Sequence, residues 1–249
     1  MKILVINPGS TSTKIAVYEN ETPLFISNIK HSVEELSAFP EVIDQFEFRK
    51  NLVLQELENN KIPFSFDAII GRGGLVKPIP GGVYEVNDAM KRDTVHAMRT
   101  HACNLGGLIA AELASALPHC RAFIADPGVV DEREEIAHIS GSPLLPKITI
   151  WHALNQKAIA RRFAKEQGSR YEDLDLIICH LGGGISVAVH HHGRAIDSNN
   201  ALDGEGPFSP ERAGTLPAGQ LIDLCFSGQL TKDELKKRIS GRAGLTAHL

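Results

Sequence analysis

One short phrase occurs twice in this chain, and it constrains the fold more than any other feature. Ile3-Leu4-Val5-Ile6-Asn7-Pro8-Gly9 lines up with Leu176-Ile177-Ile178-Cys179-His180-Leu181-Gly182, and Ile15-Ala16-Val17 lines up with Val187-Ala188-Val189. Each copy reads as an apolar strand, a polar residue, a glycine-bearing loop and a second apolar strand, the second loop being one residue shorter. Such self-similarity suggests duplicated domains, each offering one small-residue loop to a shared cleft. Far fewer residues come after the second copy than separate the two, so the second domain reads as incomplete. We expect a first domain over residues 1–150 and a partial second one over 151–249.

Between the copies, helix and strand signals alternate, which argues α/β. Ser32 and Glu35 have the spacing of a capping box, and Pro40 breaks the helix they would start. Val42, Phe46, Val53 and Leu57 predict a helix over 41–58 with those residues near one face. Strands are expected at 67–71 and 121–125, and a helix of small and aliphatic residues at 104–117. A helix over 153–167 is stopped by Gly168, with Leu154, Ile159 and Phe163 as its expected buried side. A short charged helix is expected over 231–240.

The net charge of −4 leaves no electrostatic footprint for nucleic acid or an anionic membrane. A polyanionic ligand must therefore be held by local cations, backbone N–H groups or a metal. The longest apolar runs are strand-sized, so no membrane span is expected, and the four apolar residues before Asn7-Pro8-Gly9 are too few for a signal peptide core. Cys103, Cys120, Cys179 and Cys225 show no CxxC pairing and read as reduced, packed thiols of a cytoplasmic protein. The run His190-His191-His192 suggests a metal at first sight, but it leads straight into Gly193 at what reads as a hairpin turn.

Asn7-Pro8-Gly9-Ser10-Thr11-Ser12-Thr13-Lys14 combines a glycine for tight turning, four hydroxyls and a cation. That inventory suits phosphate oxygens, and it equally suits a polar hairpin turn. Neither a Walker A motif nor a GxGxxG fingerprint is present. In His180-Leu181-Gly182-Gly183-Gly184, three glycines at a strand end are explained by close backbone approach to a ligand, or by a flexible turn. Arg72, among glycines, and Arg212, in Pro210-Glu211-Arg212-Ala213-Gly214, are forks for phosphate or carboxylate oxygens, or surface arginines paired with a nearby acid. Asp126 ends a strand just before Pro127-Gly128, where ligands of open α/β sheets gather and where an Asx turn is equally natural. His152 reads as a residue opening a helix or as a neutral donor to a transferring phosphoryl group.

Taken together, Asn-Pro-Gly-Ser-Thr-Ser-Thr-Lys, Gly-Arg-Gly-Gly-Leu, Ala-Asp-Pro-Gly-Val-Val-Asp, Trp-His-Ala-Leu-Asn-Gln-Lys, His-Leu-Gly-Gly-Gly-Ile-Ser-Val and Pro-Glu-Arg-Ala-Gly-Thr-Leu-Pro resemble the acetokinase family, in its order, from residue 1 to residue 249. In wording they look like the branch of the family that uses butyrate. The resemblance implies duplicated ribonuclease H-like, actin-like ATPase domains, and phosphorylation of a short-chain carboxylate by ATP. Its ligands would be butyrate or butyryl phosphate, ATP/ADP and Mg2+, in a homo-oligomer. By motif, Asn7 would sit near the metal, with Ser10, Thr11, Ser12 and Lys14 near the nucleotide phosphates. His180, Gly182, Gly183 and Gly184 resemble the second phosphate loop, and Arg72 the arginine that meets the substrate carboxylate. Asp126 resembles the family's active-site aspartate, and His152 and Arg212 the pair that stabilises the transferring group. Members of the family continue beyond Gly-Leu-Thr-Ala-His-Leu, so the resemblance also implies a C-terminal truncation. Acetate, propionate or a branched acid is an alternative acceptor, and a nucleotide-binding remnant without turnover is an alternative of another class.

Overall fold

The computed structural model describes residues 1–97 and 99–249. Two compact units are formed, one of residues 1–77 and 82–127, the other of residues 78–81 and 128–249. Residues 128–150, expected in the first domain, thus pack with the second unit.

The first unit opens with an antiparallel meander, β1 (Lys2–Pro8), β2 (Ser12–Glu19) and β3 (Thr22–Lys30). After α1 (Val33–Ser37), capped by the predicted Ser32–Glu35 box, the expected long helix divides into a 3-10 turn at Val42–Gln45 and α2 (Phe46–Asn59). Then come β4 (Ala68–Gly71), β5 (Val83–Glu85), α3 (Asp88–Val95), α4 (Asn104–Ser115) and β6 (Arg121–Ala125). The sheet order is β3-β2-β1-β4-β6-β5, with β1, β4 and β6 parallel to one another. Alternation along β1 and β2 sends Leu4, Ile6, Ile15 and Val17 into a core with Val53 and Leu57 of α2 and Leu105 and Ile109 of α4. Helix α4 lies very close to β4, because Gly71 faces Gly106 and Gly107: a Cβ on Gly71 would stand 2.2 Å from the carbonyl carbon of Gly106.

The second unit carries α5 (Ala153–Glu166), β7 (Asp175–Leu181), β8 (Ile185–His191), β9 (Arg194–Ser198), α6 (Ala218–Phe226) and α7 (Lys232–Lys237). Its sheet, β7-β8-β9, is again an antiparallel meander, so the repeated phrase in the sequence is a repeated piece of structure. None of the described helices is long and apolar enough to cross a membrane.

Two side-chain expectations need correction, while the expected histidine turn is present. Ile159 and Phe163 of α5 are exposed, and the buried face is instead Gln156, Lys157, Ala160 and Ala164. The alanines let the helix settle closely on Tyr171, Leu174, Leu176 and Ile178. Gln156 and Lys157 are tolerated inside because each is fully engaged: the amide by Ser186 and His190, the ammonium by Glu132 at 2.6 Å. Cys179 and Cys225 are exposed rather than packed; the two-residue period of β7 places Cys179 on the outward side with Ile177 and Leu181. All four cysteines are free. Finally, the histidine run divides. The expected turn is formed by His192 and Gly193, both at positive φ, while His190 is turned fully inward. His191 and His192 stay on the surface, where Nδ1 of His191 meets Asp175 at 2.6 Å.

Candidate active site

In the first unit, the predicted residues collect at one edge of the sheet. Ile6, Gly71 and Ile124 are in register across the parallel strands, so Asn7, Arg72 and Asp126 emerge together at the strands' C-terminal ends. Ligands of open α/β sheets bind at that edge. The hydroxyl loop turns over it: Gly9 N–H donates to Ser12 O at 2.7 Å, leaving Ser10 and Thr11 exposed at the tip and Lys14 exposed on β2. Among the described residues, Lys14 and Arg72 make no ion pair. Asp126 is buried with φ +36°; its Oδ1 accepts from Gly82 N–H at 2.8 Å, and its own N–H donates to Gly82 O at 2.9 Å. The aspartate therefore stands at the sheet edge with Oδ1 and its main-chain N–H both paired to Gly82, in place of an Asx turn with the residues that follow it.

The residue that shapes the loop was not identified from the motif. Arg49 of α2 is fully buried behind it, donating to Ser10 O (3.3 Å), Ser12 O (3.1 Å), Thr13 Oγ1 (3.0 Å) and Gln45 Oε1 (3.0 Å). Thr13 Oγ1 also pairs with His31 Nε2 at 2.8 Å, and His31 N–H holds Thr11 O. Burial lowers the Arg49 guanidinium to about 10, still a cation at neutral pH. Burial and the Arg49 charge likewise lower His31, against a smaller opposing pull from Glu35. A signal existed: residue 49 falls on the stripe of Phe46, Val53 and Leu57, and a cation on an apolar stripe asks for a partner.

The second unit brings its own predicted residues together. His180 lies on the inward side of β7, and His152 stands at the start of α5; their rings stack with centroids 3.7 Å apart and planes 7° apart. Asn155 Nδ2 meets His180 Nδ1 at 2.9 Å. Gly182, Gly183 and Gly184 join β7 to β8, and the loop is tied down by Glu211 N–H and Ser209 Oγ donating to Gly183 O. A Cβ on Gly184 would lie 3.6 Å from His152 Cε1 and 3.9 Å from Arg212 Cγ, so the loop, the histidine and the arginine are neighbours. Arg212 is 3.6 Å from Glu211 Oε2, the surface pairing its sequence context allowed, yet its Nε is buried without a partner.

Behind His152 runs a buried polar chain that no motif announced. His152 Nδ1 meets Ser186 Oγ at 2.8 Å, and Gln156 Nε2 donates to Ser186 Oγ (2.8 Å) and Ser186 O (3.1 Å). Gln156 Oε1 meets His190 Nε2 at 3.0 Å, and His190 Nδ1 meets the Tyr171 hydroxyl. Burial, aided by the Lys157 cation and opposed by Glu132, lowers His190 to about 4. Glu132 is itself held below the usual carboxyl range: burial works against this, but Lys157 and the N–H groups of Ala195 and Gly81 outweigh it.

His190 makes stability depend on pH. The unfolded chain binds a proton there at about 6.5 and the folded chain only near 4. The contribution is therefore fully present above about pH 6.5 and is lost as pH falls toward 4, up to about 3 kcal/mol over that window. Urea midpoints measured from pH 7.5 to 4 should show this decline, and His190→Gln should flatten it by about one proton. An unchanged slope in the variant would contradict a neutral His190.

Residues 150–248 match the acetokinase family. A protein of Bacteroides thetaiotaomicron named "Probable butyrate kinase" is 86% identical over 249 residues, a match that takes in 100% of this chain and 70% of that protein. Butyrate kinase 2 of Clostridium acetobutylicum is 53% identical over 249 residues, covering 99% of this chain and 70% of its own length. Among solved structures, Porphyromonas gingivalis acetate kinase superposes with a TM-score of 0.74 at 18% identity, over 99% of this chain and 69% of that one. At that identity the likeness speaks for the fold, the actin-like α/β architecture that the family resemblance implied. Identity this high, along the whole chain and in a consistent order of motifs, leaves one conclusion: the chain belongs to the acetokinase family.

Proposed function

We propose that this protein transfers the γ-phosphoryl group of ATP to a short-chain carboxylate, butyrate, giving ADP and an acyl phosphate, and that it runs the reaction in both directions. A carboxylate oxygen attacks phosphorus, one new P–O bond forms, and the bond to the ADP oxygen breaks. A carboxylic acid is ionised at pH 7, so no base is needed to make the nucleophile. The difficulty is bringing an anion against a polyanion, which makes positioning and charge neutralisation the main tasks. The observation that carries the reading is Arg72, a cation that makes no ion pair among the described residues and lies at the same strand edge as the hydroxyl loop. A protein that only holds nucleotide has no use for that second cation.

In this reading Ser10, Thr11, Ser12 and Lys14, with His180 and Gly182–Gly184, hold nucleotide phosphates, and Arg72 takes the carboxylate as a fork. His152 and Arg212 neutralise the transferring group; the partnerless Nε of Arg212 supports an anion there. Asn7 and Asp126 supply an amide and a carboxylate oxygen at one edge, a donor set that fits Mg2+. Bound there, Mg2+ would neutralise phosphate charge. Asp126 acts in orienting cations and not in accepting a proton. The same reading carries a cytoplasmic enzyme that assembles with its own copies.

Acyl hydroxamate formation from butyrate, ATP and hydroxylamine tests the proposal. It should be run on the 249-residue chain and on that chain extended to the length of its 86% identical relative. ATP-dependent hydroxamate from butyrate in either form is the expected result. Nucleotide binding without hydroxamate in both would overturn it, and faster turnover of acetate or propionate would change the acceptor.

A further inference from the structure

We propose that Tyr171, His190, Gln156 and Ser186 form a one-directional hydrogen-bond relay that fixes His152 as the tautomer protonated on Nε2. Its value to catalysis rests on the proposed role of His152 at the transferring phosphoryl group; the relay itself does not.

The direction is set by one group that can only accept. Ser186 O is a backbone carbonyl, so the Gln156 group 3.1 Å from it must be the amide nitrogen, and this settles which way the amide faces. Its oxygen then points at His190, whose Nε2 must carry the proton. A ring sealed from solvent beside the Lys157 cation stays neutral, so His190 Nδ1 is an acceptor and takes the Tyr171 hydroxyl proton. Toward the other end, Ser186 Oγ receives the second Gln156 N–H at 2.8 Å and the His152 main-chain N–H at 3.4 Å, which fill both of its acceptor sites. The serine's single proton is left to point at His152 Nδ1, also at 2.8 Å. His152 Nδ1 is thereby an acceptor, and the ring's own proton resides on Nε2.

The sequence places these residues for the task. Ser186 and His190 lie four apart on β8, hence on the same inward side, and His152 and Gln156 lie four apart at the start of α5. Gln156 bridges the strand positions. The groups facing His190 are the Tyr171 hydroxyl, the Lys157–Glu132 pair and the Trp151 ring in a T-shaped contact, with ring centroids 5.8 Å apart. A histidine oriented by outer partners keeps one tautomer and one ring position. Here that means an N–H donor with no net charge, ready to meet developing negative charge without first exchanging protons. Tyr171, His190, Gln156 and Ser186 are positioning residues that act through His152.

Ring-nitrogen chemical shifts of 15N-histidine-labelled chain at pH 7, assigned with His152→Asn and His190→Asn, test the relay directly. Both histidines are expected to show unprotonated Nδ1 and protonated Nε2. Ser186→Ala should move His152 toward the tautomer mixture of a free imidazole, and Ser186→Thr should keep the wild-type pattern. In the extended chain, Ser186→Ala should lower kcat roughly tenfold with little change in KM for the carboxylate, and threonine should recover it. A wild-type His152 protonated on Nδ1 would overturn the proposal, as would an alanine variant unchanged in both shifts and kcat. Should the alanine variant fail to fold, the wild-type and threonine spectra still decide. If no form of the enzyme makes acyl phosphate while the shifts agree with the relay, the error lies in the assigned reaction and not in the relay.

Discussion

Gly71→Ala is expected to cost about 3–5 kcal/mol, enough to leave little folded chain, because the added methyl has no space and no soft neighbour. It would stand 2.2 Å from both the carbonyl carbon and oxygen of Gly106 and 2.4 Å from Gly107 N. All three are backbone atoms of α4, so no side chain can swing aside; the helix itself must lift from β4. Lifting it would open the core contacts of Leu105 and Ile109, both fully buried. It would also displace Arg72, whose carbonyl oxygen would lie 2.6 Å from a Cβ on Gly106. Urea unfolding followed by far-UV circular dichroism measures the loss. Gly141→Ala is the control, since nothing lies within 4 Å of a Cβ there, and it should shift the midpoint little. Equal midpoints for the two variants would contradict the close approach of helix and strand.

Arg49→Met should be the other large effect, about 3 kcal/mol of lost stability, with Arg49→Lys recovering part of it. Methionine removes the desolvation cost of a buried cation and fills much of the same space. It also removes the charged donor to Ser10 O, Ser12 O and Thr13 Oγ1, leaving Ser12 O with Gly9 N–H and Thr13 Oγ1 with His31. A hydrogen bond to a charged group contributes about 1.5–3 kcal/mol, so losing several of them at once outweighs the gain. Lysine restores one charge but not the fork that reaches both sides of the loop. Amide hydrogen exchange at residues 9–13 adds a local readout and should accelerate in the methionine variant. A methionine variant as stable as wild type, with unchanged exchange, would mean that the loop keeps its shape unaided.

The difference between what the sequence disclosed and what it hid has a physical basis. Loops announce themselves: glycine, proline and hydroxyl residues at fixed offsets restrict the backbone locally, so Gly9–Lys14 and Gly182–Gly184 could be read without a fold. Arg72 and Asp126 were found by the same kind of punctuation, since each adjoins glycine or proline at a strand end. Arg49, Ser186, Gln156 and His190 carry no such mark. Their importance comes from burial and from partners far away in the chain, such as Ser12 for Arg49 and Ser186 for Gln156. Helix α5 misled for a related reason. Periodicity ranks residues by apolarity, and it favoured Ile159 and Phe163 over a face of alanine, glutamine and lysine. That polar face is buried because its partners are waiting for it, which is tertiary information.

Trp151 gives the molecule a private optical channel. It is the single tryptophan of the chain, 4% exposed, with its indole N–H donated to Val130 O at 2.8 Å. Both residues belong to the second unit, and the first unit has no tryptophan to add to the signal. Emission from this chain is therefore a report on one half of it, while circular dichroism averages over both. Coincident midpoints by the two methods would mean that the halves melt together, and separated ones would give each half its own stability without cutting the chain.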